Sequence, residues 1–99
     1  MALQTFKEGS RVSILLPEKF GFEIRHDFRE ATLGHPSGTS YELDFQAVAK
    51  MDSSAMGMLL LLKESAGKDS PVLLKNVRPE VANVLRLANF QKLFQIIPL

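Results

Sequence analysis

The sequence contains no cysteine, and this absence excludes several kinds of chemistry. Without a thiol, the chain has no disulfide framework, no thiol nucleophile and no cysteine-based metal site. The lack of cysteine also suits a reducing compartment. Apolar residues nevertheless make up 45% of the 99 residues, and seven residues are phenylalanine. This content is sufficient for a hydrophobic core, so we expect folding without a metal or a disulfide.

The sequence also lacks long apolar runs and an excess of one charge. The longest unbroken apolar stretch, residues 58–62, is far shorter than the ~20 residues of a membrane-spanning helix. Residues 1–9 carry no signal-peptide core, so we expect a cytoplasmic protein without membrane insertion. The 12 Lys+Arg and 11 Asp+Glu nearly balance, and the basic residues are scattered. Nucleic-acid binders usually cluster their basic residues, so we expect no nucleic acid partner.

The hydrophobic pattern predicts an α/β fold. Alternating or continuously apolar segments predict strands, and apolar residues at helical spacing predict helices between them. The order β-β-α-β-α-β-α-β favours a mixed, mostly parallel sheet with an antiparallel N-terminal hairpin. We expect residues 1–99 to form a single domain of this kind. The predicted strands are residues 3–7, 11–16, 41–45, 72–74 and 93–97, and the predicted helices are about residues 22–33, 53–66 and 78–88.

The start of the second predicted helix is the most informative segment. It begins with Asp52, Ser53 and Ser54, whose side-chain oxygens are suited to accept hydrogen bonds from free first-turn N–H groups. Capping alone accounts for these residue types. A second interpretation comes from the rest of the helix, because its polar sector, set by Ser53 and the charges near its end, also contains apolar residues.

Stepping by ~100° per residue places Met56, Gly57 and Leu60 in the same sector as Ser53. Exposed apolar residues beside a polar anchor are a common mark of a protein-binding surface. The alternative is a fully buried helix whose ends alone are polar. The opposite side of the helix, which we expect to supply the core, holds Ala55, Met58, Leu59 and Leu62.

A phosphate on Ser53 would make physical sense at this place. It would add a charge of about −1.5 to −2 at neutral pH. The helix N-terminus, with its free N–H groups and partial positive charge, would tolerate that charge without refolding. The phosphate would then act on a docked partner through repulsion and desolvation.

Residues 52–60, with the sequence DSSAMGMLL, resemble the D-S-S/T-G-L-G-x-L-L signature of bacterial anti-anti-sigma factors, which are STAS-domain proteins. Residues 77–81 and 90–94 are similar to the last helix and the final strand of that family. Residues 19–24 and 28–31 are similar to a pattern of its proteobacterial members. The resemblance covers nearly the whole chain and agrees with the element order given above.

The resemblance implies a STAS fold and an anti-sigma factor antagonist. Such a protein binds an anti-sigma factor that is often also a serine kinase, and thereby releases a sigma factor. The kinase would phosphorylate Ser53, with Asp52 and Ser54 supporting the phosphorylation loop, and a PP2C-type phosphatase would restore binding. The partner-binding residues would be Met56, Gly57 and Leu60. We expect no catalytic residue, cofactor or metal, and a monomer or weak dimer.

Three positions depart from the family pattern. Ala55 replaces the usual Gly and Met56 the usual Leu, and both changes keep a small residue followed by an apolar one. Gly21 stands where the family usually has Asp near the phosphorylation loop, so the resemblance does not carry over a contact from that position. The small STAS subunit of lipid-transport ABC systems, which docks on an ATPase, has a similar Asp-Ser helix start and is the alternative function. A small component of a stress-sensing assembly is a third.

An enzyme is the least supported interpretation. His26 and Asp27 are neighbours on the first predicted helix and His35 lies in a loop, with no serine placed near either histidine. Asp44 and Asp52 could suggest paired carboxylates, but alternation puts Asp44 on the polar side of its strand and capping accounts for Asp52. No glycine-rich phosphate loop precedes a helix.

Overall fold

The computed structural model describes residues 3–99, which contain seven strands and three α-helices. Two short 3-10 helices, Phe22–Ile24 and Phe90–Lys92, precede the first α-helix and the last strand. The strands are β1 (Thr5–Glu8), β2 (Arg11–Leu15), β3 (Lys19–Phe20), β4 (Ser40–Asp44), β5 (Lys50–Met51), β6 (Val72–Val77) and β7 (Gln95–Pro98), and the helices are α1 (Arg25–Thr32), α2 (Ser53–Ala66) and α3 (Pro79–Leu87).

The main sheet has five strands in the order β1-β2-β4-β6-β7. Strands β1 and β2 pair antiparallel, as a hairpin, and every other neighbouring pair in this sheet is parallel. Each parallel connection after β2 passes through a helix, which is how parallel strands are normally joined. The predicted α/β fold with a mixed sheet and an antiparallel start is therefore confirmed.

The side chains on one face of this sheet form one side of the hydrophobic core. Alternation in β2, β4 and β6 points every second side chain to the same side. Ile14, Leu43 and Leu74 consequently stand in one row across the three strands, and all three are completely buried. They join one cluster with buried side chains of the three helices, which include Phe28, Ala55, Leu59, Leu62, Val81, Ala82 and Leu85.

Strands β3 and β5 were not predicted from the sequence. Each has two residues, too few for an alternating pattern, and together they form a separate parallel pair in which Phe20 stands opposite Met51. The Phe20 side chain is 1% exposed, and its ring centroid lies 5.5 Å from that of Phe28 and 5.8 Å from that of Phe45. This aromatic cluster anchors the β3–β5 pair to the core, and the residues that follow both strands come close together.

Most element ends differ from the predictions by one to three residues, and two of the differences have a clear local cause. The helix predicted over residues 22–33 begins as a 3-10 turn, so α1 proper starts at Arg25 and ends at Thr32. The last strand starts at Gln95 rather than at residue 93, because Leu93 closes the preceding 3-10 helix with a hydrogen bond from its N–H to the carbonyl oxygen of Phe90. Within residues 3–99, no helix has both the length and the apolar character needed to cross a membrane.

We predict that Phe20→Ala lowers the free energy of unfolding by about 3–5 kcal/mol, because it removes a buried ring and leaves a cavity between two other rings. Chemical denaturation followed by circular dichroism measures this loss. Phe6→Ala is the matched control: the Phe6 side chain on β1 is 58% exposed, so the change should stay within about 0.5 kcal/mol. Equal losses in the two variants would contradict the anchoring role of Phe20.

Candidate functional site

The carboxylate of Asp52 joins two segments that are distant along the chain. Its Oδ1 accepts a hydrogen bond from the backbone N–H of Ala55 at 3.0 Å, which caps the N-terminus of α2. Its Oδ2 accepts a second bond from the backbone N–H of Phe22 at 3.2 Å, at the start of the 3-10 turn after β3. One side chain therefore fixes the first turn of α2 and the segment that leads into α1.

These hydrogen bonds favour the ionised form of Asp52. The bond from the Ala55 N–H, and after it the bond from the Phe22 N–H, lower the pKa of Asp52 below its ordinary value of 3.8. The negative charge stands at the helix end where the partial charge of the backbone is positive. A carboxylate is consequently a permanent part of this site at neutral pH.

Gly21 leaves room for that carboxylate. A Cβ atom at position 21 would overlap Oδ2 of Asp52 and would lie 2.8 Å from its Cγ. The backbone of Gly21 is extended, with φ −161°, so the glycine is needed for space and not for its conformation. A side chain at position 21 would therefore have to displace the Asp52 carboxylate from its hydrogen bond to the Phe22 N–H.

The predicted serines take different positions. Ser53 is the first residue of α2 and is exposed, whereas Ser54 is half-buried and faces α1. Of these two serines, Ser53 is therefore the more accessible to a partner. Ser53 follows directly after the residue that fixes this helix end, so its backbone is held by the capping bonds of Asp52.

The sector of α2 that was predicted to bind a partner is apolar and partly exposed to solvent. Gly57 and Leu60 are exposed, the latter by 43%, while Met56 is half-buried and packs against the core. We call Ser53, Met56, Gly57 and Leu60 the outer face of α2. Of the predicted core residues, Ala55, Leu59 and Leu62 are buried, but Met58 is only half-buried.

Leu61 was missed by the sequence analysis although its side chain is 67% exposed. It stands four residues after Gly57, and residues at that spacing are neighbours on a helix surface. This spacing could have indicated that the exposed apolar area continues past Gly57 towards α1. Leu61 therefore continues the exposed apolar area from the outer face of α2 towards α1.

Gly57 has no evident role inside the chain. It lies in the middle of α2 with a negative φ, and a Cβ atom there would have no heavy atom within 4 Å. Glycine in a helix interior is less favourable than alanine by about 0.5–1 kcal/mol. The missing side chain thus lowers helix stability and leaves open space only towards the outside.

A groove of about 620 Å³ runs between α1 and α2. The groove is lined by Arg25 and Arg29 of α1, by Gly57 and Leu61 of α2, and by Phe22 of the 3-10 turn. We call this the α1–α2 groove. Since Gly57 belongs both to this groove and to the outer face of α2, the two surfaces are continuous.

The residues considered for catalysis have ordinary structural surroundings. The His26 ring lies 3.7 Å from the carboxylate of Glu30 on the exposed side of α1. The His35 ring is within hydrogen-bond distance, 3.0 Å, of the carbonyl oxygen of Ala31. Asp44 accepts hydrogen bonds from the N–H of Gln46 and from Asn76. Among residues 3–99, no group of three or more His, Asp or Glu side chains is placed to hold a metal ion.

Comparison with known families identifies the class of this chain. The family model described as "Mlab, STAS domain" matches residues 3–98. A STAS-domain containing protein of Pseudomonas aeruginosa strain UCBPP-PA14 is 36% identical over 91 residues, which cover 90% of both chains. The chain therefore belongs to the STAS domain family.

Two solved structures share the fold. A Thermotoga maritima protein, provisionally described as an anti-sigma factor antagonist, matches with a TM-score of 0.78 and 18% identity over 98% of this chain and 86% of its own. The anti-sigma factor antagonist SpoIIAA in its unphosphorylated form matches with a TM-score of 0.64 and 23% identity over 99% and 89%. The fold of this chain is thus similar to that of anti-sigma factor antagonists.

We predict opposite effects for the same substitution at two glycines. Gly21→Ala should lower the free energy of unfolding by about 1–3 kcal/mol, because the new Cβ forces Asp52 out of its position. Gly57→Ala should raise it by about 0.5–1 kcal/mol, because the methyl group meets no atom and alanine favours the helix. Urea denaturation of both variants measures the two signs. A destabilised Gly57→Ala, or an unaffected Gly21→Ala, would show that the surroundings of these glycines are wrongly assigned.

We also predict a pH effect from the lowered pKa of Asp52. Its ionisation stabilises the folded state fully above the ordinary value of 3.8, and this stabilisation is lost as the pH falls through the folded-state pKa. Asp52→Asn removes the ionisation but keeps a capping residue. The stability difference between wild type and Asp52→Asn should therefore shrink between neutral pH and about pH 3 in urea denaturation. Asp69→Asn, in the exposed turn after α2, is the control, and a difference that grows on acidification would contradict the prediction.

Proposed function

We propose that this chain is an anti-sigma factor antagonist that is switched off by phosphorylation of Ser53. It binds an anti-sigma factor that is also a serine kinase, and so releases a sigma factor. The observation that carries this proposal is the exposed Ser53 at the first turn of α2, on the same helix face as the exposed Gly57 and Leu60.

The neighbours in fold support this proposal. SpoIIAA is named an anti-sigma factor antagonist, and the Thermotoga maritima protein carries the same provisional description. The signature over residues 52–60 adds to this support because it places a serine directly after the capping aspartate. We further propose a cytoplasmic monomer or weak dimer that catalyses nothing itself and is restored by a PP2C-type phosphatase.

The site suggests how the phosphate would act. It would add a charge of about −1.5 to −2 beside the ionised Asp52, so the two negative groups would repel each other. Because Asp52 is held by two backbone N–H groups, the phosphate is the group that turns outward. Leu60 lies ~10 Å further along α2, which is within the footprint of a docked protein. The phosphate would then stand inside the contact and weaken it through desolvation and repulsion.

A second candidate is a STAS subunit that docks on the ATPase of a lipid-transport ABC system. The observation that favours this candidate is the matching family model, which is named Mlab and not after an anti-sigma factor antagonist. It would use the same outer face of α2 as the anti-sigma factor. The identity of the bound protein separates the two functions.

The test is intact-mass analysis of the protein expressed in its native host, with peptide mapping and identification of bound proteins. We expect a species heavier by about 80 Da, the mass of one phosphate, that disappears in Ser53→Ala and persists in Ser54→Ala. The neighbouring serine is the matched control because it begins the same helix but faces α1. A kinase-like anti-sigma factor should copurify only with the unmodified form.

Other outcomes would change the assignment. A phosphate that persists in Ser53→Ala would place the modified residue elsewhere. No phosphate under any growth condition, together with an ABC ATPase as the main bound protein, would contradict the proposal and support the second candidate.

A further inference from the structure

The α1–α2 groove exposes large apolar side chains that the fold leaves uncovered. Phe22 and Leu33 are each 53% exposed and Leu61 is 67% exposed, and all three line the same groove. Scattered exposed apolar residues are normal, but several along one groove indicate a surface that binds something. These side chains are therefore suited to make the apolar contacts of a docking site.

The charges in the groove are all of one sign. Its charged lining residues are Arg25 and Arg29, with His26 beside them, and no carboxylate among residues 3–99 lines it. The acidic residues of α1 are on another side of the helix, where Asp27 and Glu30 line a separate hollow. This segregation of charge on a single helix favours an occupant that carries carboxylates at the edges of an apolar strip.

Arg25 is already held in place for such an occupant. Its guanidinium carbon lies 3.8 Å from the centroid of the Phe22 ring, and its Nη1 donates a hydrogen bond to the carbonyl oxygen of Phe22 at 3.3 Å. Guanidinium groups pair with carboxylates through two parallel hydrogen bonds, and a pre-positioned side chain loses less freedom on binding. Arg25 can thus present a cationic rim directly above an apolar wall.

The shape of the groove and the residues beside it favour a helix as the bound segment. Two packed helices form its walls, and the 14 residues of α2 make it ~21 Å long at most, the length of about four helical turns. The missing side chain of Gly57 lets another backbone approach α2 at the point where the groove meets the outer face. A helix lying in a groove is a common mode of recognition, with anchors three, four and seven residues apart.

We propose that the α1–α2 groove binds an amphipathic helix of the partner protein, with apolar side chains between Phe22, Leu33 and Leu61 and with flanking carboxylates facing Arg25 and Arg29. The proposal rests on the proposed function in one respect, namely that a partner docks on the adjoining outer face of α2. It adds the chemistry of the segment that binds: apolar at helical spacing and acidic at its margins.

The test is site-specific photo-cross-linking of the full chain in its native host. A benzoyl-phenylalanine replaces Leu61 in the groove, Leu60 on the outer face of α2, or Leu87 on α3, which is 86% exposed and serves as the control. The cross-linked peptides are then sequenced. We expect positions 60 and 61 to capture the same protein, and position 61 to capture a segment with apolar residues at helical spacing and more Asp and Glu than Lys and Arg.

A charge reversal tests the role of the cationic rim. Arg29→Glu should lower the cross-linking yield at position 61 at least about fivefold, because it places a carboxylate against carboxylates. Lys92→Glu, an exposed reversal outside the groove, should leave the yield unchanged.

The outcomes separate this proposal from the proposed function. Capture of a protein at position 60 but not at 61, a basic segment at 61, a lipid adduct at 61, or an Arg29→Glu yield equal to wild type would each overturn the groove proposal and leave the function standing. If neither position 60 nor position 61 captures a protein, the groove proposal and the proposed function are both overturned.

Discussion

The two hydrogen bonds of the Asp52 carboxylate are the interaction on which this site depends. They connect the N-terminus of α2 to the turn before α1 across 30 positions of sequence, and they exist because Gly21 has no side chain in the space that the carboxylate fills. The β3–β5 pair brings these segments together, and the buried ring of Phe20 holds that pair to the core. The outer face and one wall of the groove are formed by α2. The Asp52 carboxylate fixes the first turn of that helix.

This arrangement would separate stability from the proposed recognition along a single helix. Ala55, Leu59 and Leu62 bury one side of α2 in the core, and the cap fixes its first turn. The other sides carry features that cost stability or leave it unchanged: an exposed serine, a glycine in the helix interior and exposed leucines. Such features are expected where a surface serves binding rather than folding. A charge added at Ser53 would therefore change the surface and leave the packing beneath it intact.

The sequence predicted what is periodic and local. Alternating and continuously apolar segments located the strands of the main sheet except for their ends. The residue types at Asp52 and Ser53 located the start of α2 because capping acts over three or four residues. The role of Gly21 could not be predicted, since it depends on a contact with a residue far along the chain. The same holds for the α1–α2 groove, because periodicity within one helix does not say which helix packs beside it. Leu61 was missed for this reason, although its spacing from Gly57 carried a usable signal.

If Ser53 is the phosphorylated residue, as we propose, a phosphate there would change the surface of the chain and not its fold. Amide chemical-shift mapping by NMR, on the chain with serine and with phosphoserine at position 53, tests this most directly. We expect the shift changes to stay within residues 21–24 and 50–61, around the Asp52 carboxylate and the outer face of α2. Changes that extend through β2, β4 and β6 would contradict it, because they would mean that phosphorylation acts by rearranging the core.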